Sequence, residues 1–437
     1  MARKRNLTTW ILIGMVAGVI VGYACNIAFP DPQTAKTVSG YISLITDIFL
    51  RLIKMIIAPL VFSTLVVGVA HMGDTTSIGR IGLKTMGWFI SASLASLVLG
   101  LFMVNLLRPG DNIGLPLPDI GASTNLKVSS LTLKEFVTHL VPRSVVESMA
   151  TNEILQIVVF SVFFGIAASA LGEKARTVVT AIEDLSHVMI KITGYVMAFA
   201  PIAVFAAMAA IVTTQGLGIL LTYGKFMGGF YLSLGLLWAL LFAAGFLFIG
   251  HAVFRLGRMI REPTLLAFST ASSEAAYPKT LEGLNRFGAS SRISSFVLPL
   301  GYSFNLDGTM MYCTFASIFI AQTYHIDMPL GTQLAMLATL MITSKGVAGV
   351  PRASLVVIAS TLGQFGIPEA GLLMIMGIDT FLDMGRSATN VIGNSLATAV
   401  VAKWEGELAP EHALGPDDVV PPDMIPGEVP EMQAGHA

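Results

Sequence analysis

The sequence predicts an all-α, polytopic membrane protein with eight transmembrane helices and two re-entrant helical hairpins. Of its 437 residues, 54% are hydrophobic and only 12% are charged, which is about half the charged share of an average soluble domain. Apolar blocks of about 20 residues, long enough to cross a bilayer as helices, recur from Trp10 to Val401. Because such blocks follow one another along the whole chain, the first is not a cleaved signal peptide before a soluble domain.

Uninterrupted spans fill most of the N-terminal part, and the positive charges between them indicate their orientation. Basic residues precede the first span and follow the second, fourth and sixth, so all of them lie inside if the N-terminus is cytoplasmic. Eight crossings and two hairpins then place both termini in the cytoplasm. The six predicted spans are approximately Trp10–Phe29, Tyr41–Val69, Met86–Leu107, Ile154–Leu171, Val188–Val212 and Phe226–Gly250.

Two later apolar segments, Thr264–Pro278 and Leu334–Leu362, are interrupted by small or polar residues near their middles. Each is predicted to form two half-helices around a broken tip. Non-helical backbone at membrane depth is tolerated only where protein buries it or where it lines a cavity. Paired interrupted segments are the strongest sequence indication of a transporter's binding site.

Two further segments complete the predicted membrane domain. The first, Phe296–Ala321, lies between the hairpins and is expected to break at Pro299, Gly301 and Gly308. The second is a long final helix over Gly371–Val401. From Glu405 the chain is acidic and rich in proline without any lysine or arginine, a composition typical of a disordered tail.

The final helix carries five polar residues on one face, Asp379, Asp383, Arg386, Asn390 and Asn394. At ~100° per residue they fall within one narrow stripe about four turns long. Ionisable residues inside a membrane helix are costly and mark substrate or ion pathways. The stripe is therefore predicted to line a binding site, and a plain Asp383–Arg386 pair that joins helices is the alternative.

The chemistry of two of these residues suggests a ligand. Arg386 offers a planar, permanently charged fork that binds a carboxylate with two hydrogen bonds. Asp383 lies one turn away, about 5 Å in helical spacing, and can bind an ammonium group. This pair matches an acidic amino acid, whereas a plain dicarboxylate leaves a charged Asp383 without a partner.

A second polar cluster, Asn305-Leu306-Asp307-Gly308-Thr309, does not share one helical face and is expected to be unwound. Unwound carbonyls beside a carboxylate commonly bind Na⁺ within a membrane. The alternative is that Asp307 only caps the broken helix.

The tip of the first hairpin carries Ser272, Ser273 and Glu274. The two serine hydroxyls can donate hydrogen bonds to substrate oxygens, although any tip needs small residues. A carboxylate near the bilayer midplane is a candidate proton carrier, so Glu274 is predicted to carry a proton or to line the cytoplasmic opening.

Four separated motifs together resemble the dicarboxylate/amino acid:cation symporter family, which includes the excitatory amino-acid transporters and bacterial glutamate/aspartate symporters. The resemblance covers nearly everything from Trp10 to Trp404. The motifs are Asn305-Leu-Asp307-Gly-Thr309, the Ser272-Ser273 tip, Gly346-Val-Ala-Gly-Val350-Pro351 and Asp383-Met-Gly-Arg386-Ser-Ala-Thr-Asn390.

The resemblance implies a homotrimer in the bacterial cytoplasmic (inner) membrane that works by an elevator mechanism. Residues 1–9 would be a cytoplasmic N-terminus, 10–404 the membrane domain and 405–437 the acidic tail. Within the membrane domain, residues about 10–71 and 150–213 would form a scaffold. Residues about 84–107 and 226–404 would form the moving transport domain.

The resemblance also implies roles for individual residues. Arg386 would bind the substrate's side-chain carboxylate, Asp383 its amine, and the second hairpin would act as the outer gate. The implied substrate-binding residues are Ser272, Ser273, Thr309, Val350, Ser354, Asp383, Arg386 and Asn390. The implied Na⁺ sites comprise Gly301, Ser303, Asn305, Asp307, Ser344, Lys345, Val347, Asn390 and Asn394.

Two departures from the family pattern bear on the coupling ion. Archaeal Na⁺-coupled members carry aspartate where this chain has Asn394, and two hydroxyl positions of span three are Phe89 and Ala92 here. Fewer hard oxygen ligands weaken a Na⁺ site. The expected coupling ion is therefore Na⁺, H⁺ or both, with Glu274 as the proton carrier.

The sequence thus predicts a symporter that imports L-glutamate or L-aspartate, with C4-dicarboxylates such as succinate, fumarate or malate as the alternative. The expected partners are a small acidic solute, membrane lipid and two further copies of the chain, without nucleic acid. No enzyme activity and no cofactor besides the coupling ion are expected, since no metalloprotease, nucleophile-elbow or similar catalytic motif occurs in the spans.

Overall fold

The computed structural model describes residues 7–70, 75–111, 117–118, 138, 140–217, 223–344 and 353–409. Their regular structure is helical, and within these ranges the sole extended pairing is one isolated antiparallel bridge between Ala289 and Leu408. Five helical stretches in these ranges are long and apolar enough to cross a membrane. The all-α prediction is therefore confirmed for the described part of the chain.

The N-terminal helices follow most of the predicted spans. α2 and α3 begin earlier than predicted, and the predicted fifth span is divided between α6 and α7. The division falls just before Pro201, which lacks an N–H and clashes with the carbonyl four residues earlier in a continuous helix. These helices are α1 (Leu7–Ala28), α2 (Pro32–Ala70), α3 (Thr75–Leu107), α4 (Val145–Thr151), α5 (Ile154–Leu171), α6 (Arg176–Met197), α7 (Ala200–Gln215) and α8 (Gly224–Ile249).

The C-terminal part is divided into shorter helices, as the interrupted segments predict. α10 and α11 form the two halves of the first predicted hairpin. They are joined by Ala271 in the left-handed conformation, with φ 50°, and by a 3₁₀ turn over Glu274–Ala276. The helices are α9 (Ala252–Met259), α10 (Arg261–Thr270), α11 (Tyr277–Phe287), α12 (Ser291–Phe304), α13 (Asp307–Thr323), α14 (Leu330–Thr343), α15 (Ala353–Gln364), α16 (Leu372–Met376) and α17 (Asp379–Glu405).

Two predicted helix boundaries are wrong. The segment between the hairpins breaks at Asn305 and Leu306, the first two residues of the cluster predicted to be unwound, where ψ angles of 63° and 62° are not helical. The breaks predicted at Pro299, Gly301 and Gly308 are wrong, because these residues lie inside α12 and α13. The final long helix begins at Asp379 rather than at Gly371, since the short α16 and a turn precede it. α14 and α15 flank the tip of the second predicted hairpin, which lies outside the described residues.

The helices pack into two groups. α1, α2, α5, α6 and α7 pack mainly on one another, and α1 approaches α7 so closely that a Cβ on Gly22 would lie 2.6 Å from the Ala209 carbonyl oxygen. In the second group, α17 packs against α8, α10, α12 and α13. Nearly every residue of α17 from Phe381 to Ala402 is buried, so its polar stripe lies inside this group.

The chain remains packed beyond the last helix for a few residues. The predicted tail starts at Glu405, whereas Glu405 ends α17 and Glu407 is only 5% exposed. Leu408 pairs with Ala289, and Ala409 donates its N–H to the Gly288 carbonyl oxygen at 2.9 Å. Residues 410–437 of the predicted tail lie outside the described part.

Candidate functional site

The break between α12 and α13 lies against the middle of α17. The first N–H groups of a helix lack intrahelical partners, and here the Asn390 side chain supplies one. Its Oδ1 accepts hydrogen bonds from the N–H groups of Gly308 at 2.9 Å and Thr309 at 3.4 Å. Its Nδ2 donates to the Thr309 hydroxyl at 3.2 Å. Asn390 therefore fixes the start of α13 on α17.

Gly308 permits this close approach. A Cβ at this position would overlap the backbone carbonyl of Arg386. The glycine therefore brings Thr309 and Arg386 onto the same side of the break.

Arg386 lies at the centre of a small polar cluster. Its Nε donates to Asp383 Oδ1 at 2.7 Å, and its Nη2 contacts the same oxygen. Its Nη1 donates to the hydroxyls of Thr309 and Ser354, the former at 3.4 Å. The side chains of Arg386 and Asp383 remain 15% and 20% exposed, so both are reachable from outside the core.

Both sequence interpretations of this pair are thus represented. The Asp383–Arg386 ion pair of the alternative interpretation is present. The guanidinium also donates to hydroxyls of α13 and α15, so Asp383 is one of several groups that it contacts. The structure brings together in this one cluster three residues that the resemblance implies for substrate binding, Thr309, Ser354 and Asn390.

One turn further along α17, a second cluster joins Asn394 to the α12–α13 break. Asn305 Nδ2 donates to Asp307 Oδ2 and to Asn394 Oδ1, both at 3.1 Å. Asn305, Asp307 and Asn394 are all fully buried. A Cβ on Gly301 would lie only 2.5 Å from Asn394 Oδ1, so a glycine is needed there.

Among the described residues, two amide atoms of this cluster have no hydrogen-bond partner, the acceptor Asn305 Oδ1 and the donor Asn394 Nδ2. A buried polar group without a partner costs about 1–3 kcal/mol, which suggests that the cluster is arranged for a ligand. A carboxylate and amide oxygens are hard ligands of the kind that small cations prefer. The oxygens of Asp307, Asn305 and Asn394 are thus compatible with the implied cation site, which remains a prediction.

The other residues implied for ion binding are less well defined. Ser303 and Ser344 are both buried, but the Ser344 hydroxyl donates to the Met341 carbonyl oxygen at 3.3 Å. Lys345, Val347 and Val350 lie outside the described residues, so the structure does not place them.

At the first hairpin tip, the Ser272 hydroxyl accepts the N–H of Ala275 at 3.2 Å and stabilises the turn. Ser273 begins that turn with a half-buried side chain. In the described part of the chain, no hydrogen bond links either serine to Arg386. Their implied substrate contacts remain predictions.

Glu274 follows on the same tip and interacts electrostatically with Arg386 on α17, with Lys54 on α2 and with Glu153 before α5. This carboxylate therefore lies between the Arg386 cluster and the first helix group. Its position is compatible with both predicted roles, proton carrier and lining of an opening.

Several site residues were missed from sequence. The Ser96 hydroxyl lies 3.5 Å from Asp307 Oδ1, and Tyr312 donates to Asp379 Oδ1 at 2.8 Å. The Ser387 hydroxyl donates to Asp383 Oδ1 at 3.3 Å. The signal for Ser96 was available, because it lies one helical turn after Ala92, one of the two span-three positions at which the family pattern has a hydroxyl.

Comparisons with known proteins identify the family of this chain. Residues 7–404 match the model of the Sodium:dicarboxylate symporter family. The "Proton/sodium-glutamate symport protein" of Geobacillus stearothermophilus is 41% identical over 94% of this chain and 97% of its own length.

Two further relatives have different substrates in their names. The "Proton/glutamate-aspartate symporter" of Escherichia coli (strain K12) is 40% identical over 94% of this chain and 95% of its own length. The "C4-dicarboxylate transport protein" of Laribacter hongkongensis (strain HLHK9) is 39% identical over 92% and 90%, respectively. With apolar helices able to span a bilayer and a family match over nearly its whole length, the chain is a multi-pass membrane protein and belongs to the Sodium:dicarboxylate symporter family.

Proposed function

We propose that the protein is a secondary active symporter that imports an acidic amino acid, L-glutamate or L-aspartate. The observation that carries this proposal is the Asp383–Arg386 pair, in which a cation and an anion of the site neutralise each other. Relatives named for glutamate and aspartate support the same substrate class.

A zwitterionic substrate can separate this pair without leaving either charge unpaired. Its side-chain carboxylate binds Arg386 in place of Asp383, and its ammonium group binds Asp383 in place of Arg386. Removing one member of a hydrogen-bonded charge pair in such a site costs roughly 2–5 kcal/mol, largely because the other charge is left unpaired. An acidic amino acid avoids this cost because it supplies both charges.

A C4-dicarboxylate is the second candidate, since relatives named as C4-dicarboxylate transport proteins are nearly as similar to this chain. Arg386 with the hydroxyls of Thr309 and Ser354 can bind any carboxylate. However, a dicarboxylate that displaces Asp383 from Arg386 leaves Asp383 without a cation. This asymmetry favours the amino acid.

The test is uptake of labelled aspartate and labelled succinate into proteoliposomes by Asp383→Asn. We expect aspartate uptake to fall by at least about thirtyfold, the lower bound of a lost buried charge contact, and succinate uptake to change far less. Asp184→Asn, which changes an exposed carboxylate on α6 in the other helix group, is the matched control. Equal losses for the two substrates would favour the dicarboxylate.

We further propose that coupling uses Na⁺ at the Asn305, Asp307 and Asn394 cluster and H⁺ at Glu274, as the relatives' proton/sodium names suggest. An inward pH gradient alone should then drive part of the uptake, and Glu274→Gln should remove that part. Glu147→Gln, which changes an exposed carboxylate on α4, is the control. Uptake that follows only the Na⁺ gradient would contradict the proton role.

For the assembly, we propose a homotrimer in the cytoplasmic membrane of a bacterium with both termini inside. The two helix groups would be a scaffold (about 10–71 and 150–213) and a transport domain (about 84–107 and 226–404), which moves as an elevator. Their separate packing supports this division. Native mass spectrometry of the purified protein tests the trimer, and accessibility of cysteines introduced at each end tests the orientation.

A further inference from the structure

Two acidic residues at the end of α17 are bound by a basic rim formed by Arg80, Lys84 and Arg292. Glu405 forms ion pairs with Arg80 at 2.8 Å and with Lys84 at 2.7 Å. Glu407 pairs with Arg292 and accepts the Ser290 hydroxyl at 2.5 Å. The side chains of Glu405 and Glu407 are only 2% and 7% exposed. The first acids of the C-terminal segment are therefore docked on the protein's own surface.

The bridge between Leu408 and Ala289 fixes the direction of the last described residues. It is antiparallel, with Ser290 N–H donating to the Glu407 carbonyl at 3.1 Å and Ala409 N–H to the Gly288 carbonyl at 2.9 Å. The described chain therefore ends beside Gly288, the residue that follows the last turn of α11.

Beyond the bridge lies a surface that we call the arginine face, formed by Arg258, Arg261 and Arg286. These residues end α9, begin α10 and lie in the last turn of α11, three helices that pack together. A Cβ on Gly283 would lie 3.0 Å from the Met259 carbonyl oxygen, which shows how closely α11 meets the end of α9.

The three arginines of the arginine face are exposed. Among the described residues, none of the three takes part in an ion pair, whereas nearby Lys279 is held by Glu262 and Glu282. The arginine face is thus a concentration of positive charge beside the exit of an acidic segment.

The chain past Ala409 has the complementary composition. It contains no lysine or arginine, and its acids begin two residues after the last described residue. They are Glu411, Asp417, Asp418, Asp423, Glu428 and Glu431.

From the docked start, the chain direction and this charge complementarity, we propose that the acidic segment 410–437 docks on the arginine face. There it would restrain α10 and α11, the two halves of the first hairpin, whose tip carries Glu274. The docking is independent of which solute is carried, and only the restraint rests on the proposed transport function.

The docking is tested by the distance between spin labels at Ala413→Cys and Glu282→Cys in the full-length protein, with Cys25 replaced by serine. Docking predicts a short, narrow distance distribution that broadens when Arg258, Arg261 and Arg286 are changed to glutamate. The same broadening is expected at about 1 M salt, where the Debye length falls to about 3 Å. Charge reversal of Lys174 and Arg176, exposed basic residues of the other helix group, is the matched control and should leave the distance unchanged.

The docking would be overturned by a broad distance distribution in the labelled protein that keeps its three arginines. It would also be overturned by a distribution that the triple charge reversal leaves unchanged. If the reversal instead removed co-purified anionic lipid without changing the label distance, the face would bind lipid headgroups, and the proposal would also fail.

The restraint has a separate readout. A chain ending at Ala409 should take up substrate between about twofold and tenfold faster than the full chain, the range expected for losing a few exposed ion pairs. If the full-length protein shows the short label distance but the chain ending at Ala409 takes up substrate at the same rate as the full chain, the restraint is overturned. A chain that carries no acidic solute at all would instead contradict the proposed function, and the label distance would still report the docking.

Discussion

The two polar clusters on α17 differ in how their hydrogen-bonding atoms are satisfied. Around Arg386, guanidinium nitrogens, the Asp383 carboxylate and two hydroxyls bind one another. Around Asn394, two buried amide atoms have no partner among the described residues. We call the first the closed cluster, because its groups bind one another, and the second the open cluster, because these two atoms are unsatisfied.

This difference indicates two kinds of binding. A ligand of the Arg386 cluster has to displace an internal ion pair, so the site selects for a solute whose charges replace both members. A cation at the Asn305, Asp307 and Asn394 cluster would gain the unpartnered Asn305 Oδ1, whereas Asn394 Nδ2, a hydrogen-bond donor, cannot ligate it. We therefore expect charge matching to determine selectivity at the first cluster and the number of oxygen ligands to do so at the second.

The largest effect is expected when the closed cluster loses the Arg386 guanidinium. Arg386→Ala leaves Asp383 unpaired and removes the carboxylate partner, so uptake of acidic substrates should disappear, at a cost of roughly 2–5 kcal/mol in binding. Arg386→Lys keeps the charge without the planar fork and should also be impaired. Uptake assays and size-exclusion chromatography separate this loss from misfolding, and wild-type uptake by Arg386→Ala would contradict the assignment.

The open cluster can be disturbed by filling its space. Gly301→Ala places a methyl group 2.5 Å from Asn394 Oδ1, and overpacking of this kind costs about 1–3 kcal/mol. The cation concentration for half-maximal uptake should therefore rise clearly, with a smaller change in substrate selectivity. Gly87→Ala on α3, where a Cβ meets nothing within 4 Å, is the control. A cation dependence unchanged by Gly301→Ala would place the ion elsewhere.

The sequence predicted the stripe on α17 because helical periodicity and the cost of charges in a membrane act locally. Asp383, Arg386, Asn390 and Asn394 lie on one face of one helix, so their proximity followed from spacing alone. The break that Asn390 caps lies in the Asn305–Thr309 cluster that was predicted to be unwound, but Pro299, Gly301 and Gly308, where breaks were also predicted, lie inside helices. Its position depends on tertiary contacts of Gly308 and Asn305 with α17, which no local pattern contains.

The partner choices within the site could not be predicted in the same way. Whether Arg386 binds Asp383 or awaits a ligand depends on the hydroxyls that α13 and α15 bring from distant parts of the chain. Similarly, Tyr312 meets Asp379 only because α13 packs along α17. The docked acids at the end of α17 were predicted as part of a disordered tail, because composition does not register the basic residues that bind them.

A smaller effect should come from the edge of the closed cluster. Ser354→Ala removes one hydroxyl acceptor from Arg386 Nη1 and should weaken substrate binding by about 1.5 kcal/mol, typical of a hydrogen bond to a charged group. Ser360→Ala, also on α15, removes a hydroxyl that donates to the Val357 carbonyl oxygen. This variant should bind the substrate with unchanged affinity. Equal binding constants for the two variants would show that Ser354 does not support Arg386.

The smallest effect tests whether Ser96 belongs to the open cluster. Its hydroxyl lies 3.5 Å from Asp307 Oδ1 and also donates to the Ala92 carbonyl oxygen at 2.8 Å, so the contact with Asp307 is long and shared. Ser96→Ala should therefore weaken cation dependence by only about 0.5–1 kcal/mol, a two- to fivefold change, and leave substrate selectivity as it is. Ser91→Ala, whose exposed hydroxyl donates to the Gly87 carbonyl oxygen, is the matched control on α3. If Ser96→Ala changed substrate selectivity but not cation dependence, Ser96 would act on the Arg386 cluster. The closed and open clusters could then no longer be treated as separate sites.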